Sequence, residues 1–448
     1  MEQRGTTGAF ADGTAVVGVT TELESDVMNL LVDTLRRAVR SELSAVGTDT
    51  LLGELVMGDT DAGAAIAPGM RKAGALSGVI RGRAGQGWVS DDEVRSAPGM
   101  ADGADEEAHQ EAQRQADESE VDAAWREARW RFGLGSRGSA PDSGRSLPRM
   151  TGAMRACLLL ALRSARAEGT ISVRCRHVAR ALLDLPDTRA REALLLQRLD
   201  PAAAATTLDG LDASASADTE GPESRGVTLL RRAGTLGKSG NRLTRALTSW
   251  TSGTSVNGSP VLFAVSVEAA RQAVRCGRVV VEPVDLLLGM LALDRALSVA
   301  GLSLSGSLAD ANVGATLMRR HGIRQSFLVS SATTILSAAV PDADTAADTE
   351  ADADADGDGD GIRVPRSAAE GDRVRQSAAA DRIMAVARLS AAEHGSPTVG
   401  TVHLLSALLD ESATDADAGH GGAVVRLLAA DQVDVPALRS ELSLRLGA

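Results

Sequence analysis

The stretch Gly400-Thr401-Val402-His403-Leu404-Leu405-Ser406-Ala407-Leu408-Leu409 decides how this chain is read. Counted from His403, apolar residues fall one, two, five and six places on, a spacing that puts four side chains on one helical stripe. The spacing recurs after Thr50 (Leu51, Leu52, Leu55, Val56), His177 (Val178, Ala179, Leu182, Leu183) and Asp285 (Leu286, Leu287, Met290, Leu291). Sixteen and twelve residues before the anchors stand Thr34/Ala38, Ala161/Ala165, Ala269/Ala273 and Ala387/Ala391. Small residues one turn apart on a preceding helix let a second helix approach closely. Four copies of one pattern set the architecture before any single residue does. The unit is a helical hairpin together with the segment after it, and no catalytic residue type recurs at a fixed offset.

Composition supports an all-α fold. The chain has no Tyr, four Trp and four Phe, so its core must be built from Leu, Val, Ala and Met, which favours helix packing over a β-sandwich. A length of 448 residues suggests two or three domains. The net charge of −13 argues against nucleic acid as a partner, because phosphate neutralisation needs a basic face. Much of the excess is local: residues 341–361 carry nine acidic side chains and no basic one. Cys157, Cys175 and Cys276 are too few and too scattered for a disulfide framework or a zinc site, and are read as fillers of small core gaps. No leader pattern and no run of eighteen apolar residues occurs, so no membrane contact and a cytoplasmic location are expected.

The repeats divide the chain. Residues 1–21 are expected to be disordered. A first domain is expected over 22–210, with repeats at 22–82 and 149–210 around an insert at 83–148. A linker is expected over 211–257, carrying a basic patch that includes Arg225, Arg231 and Arg232. A second domain is expected over 258–447, with repeats at 258–333 and 373–447 and the acidic run 341–361 as a disordered spacer. In the first repeat, one long helix is expected to end near Gly47, with Thr48 as the N-cap of the next. Within the insert, Ala104 to Phe132 reads as a charged helix, acidic early and Arg-rich late, and Gly133 to Pro148 as loop.

The residues 400–409 resemble the Gly-Thr-Glu-His-hydrophobic-Leu signature of the Clp amino-terminal repeat, the domain at the front of Hsp100/Clp unfoldases. Arg426-Leu427-Leu428 and Val433 to Leu438 resemble its third helix and the turn after it, and His177 to Leu208 matches likewise. Gly47 to Leu52 and Glu282 to Leu287 are weaker copies. The resemblance implies two tandem domains, each of two four-helix repeats about a pseudo-twofold axis, without the ATPase modules. It implies protein partners: a Clp unfoldase or its substrates. In one branch of that family the Glu between Thr and His helps to hold a phosphorylated arginine. Its counterparts are Asp49, Arg176, Val284 and Val402, and Asp49 alone keeps an acid that could pair with a guanidinium.

The remaining motifs carry no chemistry on inspection. His177 and His403 are read as structural, each ring packing on a neighbouring helix and satisfying a loop carbonyl; Leu182 and Leu405 are read as buried members of the stripe. Gly133-Leu134-Gly135-Ser136-Arg137-Gly138 fits a dinucleotide fingerprint but has no strand before it. Asp352, Asp354 and Asp356 mimic half of a calcium loop whose twelfth position is Arg363. No catalytic, cofactor or metal residue is therefore assigned. The stripe Val121, Trp125, Ala128, Phe132, with Trp130 beside it, is read in two ways: as a lid on the first domain's core, or as a partner-docking helix. The function expected is a non-enzymatic protein-binding module, an adaptor or regulator related to Clp proteolysis. A structural scaffold is the alternative and a hydrolase the remotest.

Overall fold

Helices of one length at one register set the frame. In the computed structural model the described residues are 22–83, 88, 91, 104–135, 147–170, 172–214, 224–236, 259–323, 325, 328–329, 331–332, 374–411 and 422–447. Four sixteen-residue helices are α1 (Ser25–Arg40), α6 (Gly152–Ala167), α11 (Pro260–Arg275) and α15 (Ala378–Glu393). Their N-caps Glu24, Thr151, Ser259 and Ser377 each stand twenty-six residues before an anchor. Three of these caps accept a backbone N–H in the first turn: Thr151 from Met154, Ser259 from Leu262 and Ser377 from Ala380. The second helices, α2 (Thr48–Met57), α7 (Cys175–Asp184), α12 (Pro283–Val299) and α16 (Thr401–Asp410), each begin two residues before the anchor.

Shorter helices complete the repeats. These are α3 (Asp61–Ile66) and α4 (Met70–Gly82), then α8 (Arg189–Leu196) and α9 (Pro201–Ser214). In the second half they are α13 (Gly306–Ala309), α14 (Gly314–Arg320), α17 (Ala423–Ala430) and α18 (Val435–Leu446). The fold is all-α apart from strands of two residues each: β1 (Glu22–Leu23), β2 (Ala45–Val46), β3 (Arg149–Met150), β4 (Ser172–Val173), β5 (Val280–Val281) and β6 (Arg375–Gln376). They are too short to alternate visibly in the sequence. Their pairing is exchanged between repeats: β1, before α1, runs parallel to β4, before α7, while β2, before α2, runs parallel to β3, before α6. In the second half β5 pairs with β6 in the same sense as β2 with β3.

The small residues do what their spacing predicts. All eight are buried, and a Cβ on Gly289 of α12 would lie 2.7 Å from the backbone nitrogen of Ala269 on α11. Two separate apolar cores result, one spanning Leu23 to Leu208 and one spanning Val227 to Leu442.

Several expectations are corrected. α1 ends at Arg40 rather than near Gly47, because β2 intervenes. Gly47 is the N-cap of α2, and Thr48 is its first residue. Gly133 to Gly135 close a long helix, α5 (Ala104–Gly135), instead of opening a loop. Within the expected linker, α10 (Arg225–Arg232) buries Val227 and Leu230 in the second core, and Leu236 bridges Leu304. Residues 1–21 and 341–361 lie outside the described residues.

Candidate functional site

Three anchors are helix caps. The Nδ1 of His177 accepts the N–H of Arg174 at 2.9 Å, and the Nδ1 of His403 accepts that of Gly400 at 3.1 Å. Asp285 Oδ2 accepts the N–H of Glu282 at 2.9 Å. Each side chain thus satisfies an amide that the helix itself leaves unpaired. The sequence suggests a loop carbonyl as the partner of each ring; the rings take a backbone N–H instead. That fixes the tautomer: the proton sits on Nε2, and in His177 it is donated to Glu168 at 3.0 Å. Burial pushes Glu168 up, but this bond and the charge of Arg176 outweigh it and hold the carboxyl below its ordinary value. Arg176, Arg180, Asp184 and Asp209 complete a polar hollow around the pair, with Arg180 bridging Asp184 and Asp209. Leu182 and Leu405 are wholly buried on their stripes.

The Gly-Thr pair before the anchor stitches one repeat to the next. In the first half the Thr48 hydroxyl accepts the N–H of Ala190, at the start of α8. In the second half the Thr401 hydroxyl accepts the N–H of Gly314, at the start of α14. A Cβ on Gly400 would overlap the carbonyl of Ala311, so glycine is needed there for close approach. The insert contributes Asp91, whose carboxylate accepts from the N–H of Thr48 at 2.7 Å and that of Arg189 at 3.0 Å, neutralising two helix N-termini at once. Asn312 takes the corresponding place in the second half, accepting the N–H of Thr401 at 2.9 Å. Asp49 stands within this nook, almost wholly buried. Burial raises its carboxyl, Arg189 opposes, and Asp91 raises it further.

The helix carrying Trp125, Trp130 and Phe132 lies between the two halves. α5 packs against α1 and α6 on one side and α11 on the other. Val121, Trp125, Ala128 and Phe132 all enter the first core. Trp130 stays half-buried beneath the Arg225 guanidinium, 5.6 Å from its ring centre. The opposite side of α5 meets α11 through a buried ionic cluster. Glu127, with no exposed surface, accepts from Arg271 at 2.7 Å, Arg275 at 3.0 Å and Arg131 at 2.6 Å. Arg275 also pairs with Glu120, and Arg126 Nε donates to the Arg275 carbonyl at 3.0 Å. Glu268 of α11 accepts from the Ser224 hydroxyl and the Gly226 N–H, which seats α10 beside the cluster. Burial would raise Glu127, but Arg271, Arg131 and Arg275 surround it and hold it well below the usual carboxylate range.

Sequence reasoning found the apolar side of α5 and missed the ionic one. Glu120 and Glu127 lie about 150 positions from Arg271 and Arg275, and nothing local marks the pairing. The structure does not bring Asp49 together with the Trp125 group: Asp49 lies at the junction of α2 and α8, Trp125 in the seam of α1, α5 and α6. Among the described residues no cluster of His, Cys, Asp and Glu stands close enough to hold a metal ion, and no helix is long and apolar enough to cross a membrane. No family model, no curated protein and no solved structure matches the chain.

Proposed function

We propose that this chain is a non-enzymatic protein-binding module, an adaptor or regulator that recognises polypeptide partners or substrates in relation to Clp proteolysis. Its halves are read as two tandem domains of the Clp amino-terminal kind, working in the cytoplasm. The observation that carries the reading is the common register of the four repeats: the first-helix N-cap and the second-helix start fall at the same offsets from Thr50, His177, Asp285 and His403. Three of those polar anchors are spent on capping, and Thr48 and Thr401 on joining repeats, which leaves surfaces, not side-chain chemistry, as the working parts.

The test is direct. The purified chain should co-elute with a Clp unfoldase of the same cell in size-exclusion chromatography, and should change the rate at which the unfoldase–peptidase pair degrades a model substrate. Neither co-elution nor any rate change at about fifty-fold molar excess would overturn the Clp link. One observation favours a second reading, a rigid scaffold: the ionic cluster on α5 joins the halves. In that case the chain would assemble with neither unfoldase nor substrate.

A further inference from the structure

We propose that Asp49 and Asp91 form a proton-operated latch between the two repeats of the first half. With a proton on the pair the repeats are clamped together, and without it the clamp loosens.

Asp91 is the clamp. It has no exposed surface, and three helix starts from both repeats converge on it. Its carboxylate accepts the N–H of Thr48 on α2 at 2.7 Å, the Thr48 hydroxyl at 3.0 Å and the N–H of Arg189 on α8 at 3.0 Å. Its backbone carbonyl accepts the N–H of Ala153, in the first turn of α6, at 2.8 Å. α2 belongs to the first repeat, α6 and α8 to the second. With these donors around it, the Asp91 carboxylate is satisfied as an anion.

Asp49 makes the clamp conditional. It is 3% exposed, and among the described residues its Oδ1 has no hydrogen-bond partner. That oxygen faces Asp91: a Cβ on Gly47 would lie 2.5 Å from Asp49 Oδ1 and 2.9 Å from Asp91 Oδ2, so both oxygens border one point. Two carboxylates meeting away from water resist ionising together. Asp91 has its donors and Asp49 Oδ1 has none, so the proton belongs on Asp49, where it removes one of the two like charges. Burial first, and then Asp91, raise the Asp49 carboxyl against the opposing charge of Arg189, the direction this geometry requires.

The other charges nearby are committed elsewhere or fixed. Arg37 of α1 pairs with Glu54 of α2, and Arg81 of α4 lines the opposite side of Asp49 beside Ser77. Burial, then the Asp91 charge, pushes the Cys157 thiol of α6 up, so it stays protonated. Arg155, Arg163 and Arg166 of α6 pair with acids of α5. Asp61 of α3 is exposed, and Arg176, His177 and Arg180 of α7 line the hollow around Glu168. Because the folded value of Asp49 is raised, its contribution is complete below the ordinary value of 3.8 and is lost as pH rises through the folded value. This is the opposite sign to Glu127.

The test is hydrogen exchange on the full chain, read as protection factors so that the intrinsic pH dependence of exchange is removed. In the wild type, protection of the Thr48, Ala153 and Arg189 amides should fall together by about tenfold or more between about pH 4.5 and 8. In Asp49→Asn, which carries no charge at any pH, it should stay high and flat. Asp91→Ala should lower it at every pH and remove the pH dependence. Carbon-13 titration of the wild-type carboxyls, with the Asp49 signal identified by its loss in Asp49→Asn, should place Asp49 above the ordinary range. Flat protection in the wild type overturns the proposal, as does an Asp49→Asn profile that follows the wild type, or an Asp49 carboxyl titrating at or below its ordinary value. The wild-type profile decides the matter even if a variant fails to fold.

Discussion

α11 and α15 are the same element in two repeats that share one apolar core, equal in length and in distance from their anchors, yet they end in opposite environments. Arg271 of α11 is buried against Glu127; Leu389 of α15, at the matching position, is among the most exposed apolar residues of the described chain. A repeat fixes the inner face, where close approach demands Ala269 and Ala387 alike. It leaves the outer face to whatever the chain supplies to cover it. For α11 the chain supplies α5, and for α15 it supplies nothing comparable among the described residues.

The largest effect should come from the closed side. Glu127→Ala removes the buried carboxylate that Arg271, Arg275 and Arg131 share, leaving Arg275 to Glu120 and Arg271 to Glu268, and should cost about 3–5 kcal/mol in chemical denaturation. Hydrogen exchange should rise in α5 and α11 and stay unchanged in α15. A loss below about 0.5 kcal/mol would mean that water reaches the cluster.

Leu182→Ala and Leu405→Ala should each cost about 2–5 kcal/mol, one in each half, because both stripes are wholly buried. The inner faces should therefore behave alike where the outer faces differ. Thr48→Val and Thr401→Val come next, at about 1–3 kcal/mol, since each leaves a helix-start N–H without its acceptor. At the open side, Leu389→Ala should stay within about 0.5 kcal/mol of wild type.

Acid should separate the regions more gently. The arginines hold Glu127 below its ordinary value, so its contribution is complete above the unfolded carboxylate range and is lost only as pH falls below about 4. Burial, then His394, lowers His403, and its Nδ1 can accept the Gly400 N–H only while unprotonated. Its contribution is complete above the unfolded value of about 6.5 and is lost as pH falls through the lower folded value. The second half should therefore soften as pH falls below about 6.5 while the α5 cluster holds. His403→Gln, which keeps an acceptor, should cost little and remove that softening.

The inner architecture was legible in the sequence because it is written in local periods. The stripe after each anchor and the small pair before it both follow from helical spacing. The strands were not legible, since two residues carry no alternation. The place of α10 was missed because its charge, Arg225, Arg231 and Arg232, outweighed Val227 and Leu230 in a reading by composition. In the candidate site, the helical spacing of Trp125 and Phe132 marks an apolar stripe, and both side chains lie in the first core. Their partner face, Glu127 against Arg271, depends on contacts across the whole chain, which no window of sequence contains.

α5 should make one cooperative body of the two repeat pairs while α15 stays open. Scanning calorimetry on the wild type and on Glu127→Ala tests it most directly. A single transition is expected for the wild type and two for the variant, the halves melting separately once the ionic cluster is broken. Two transitions already present in the wild type, or one unshifted transition in both proteins, would contradict it.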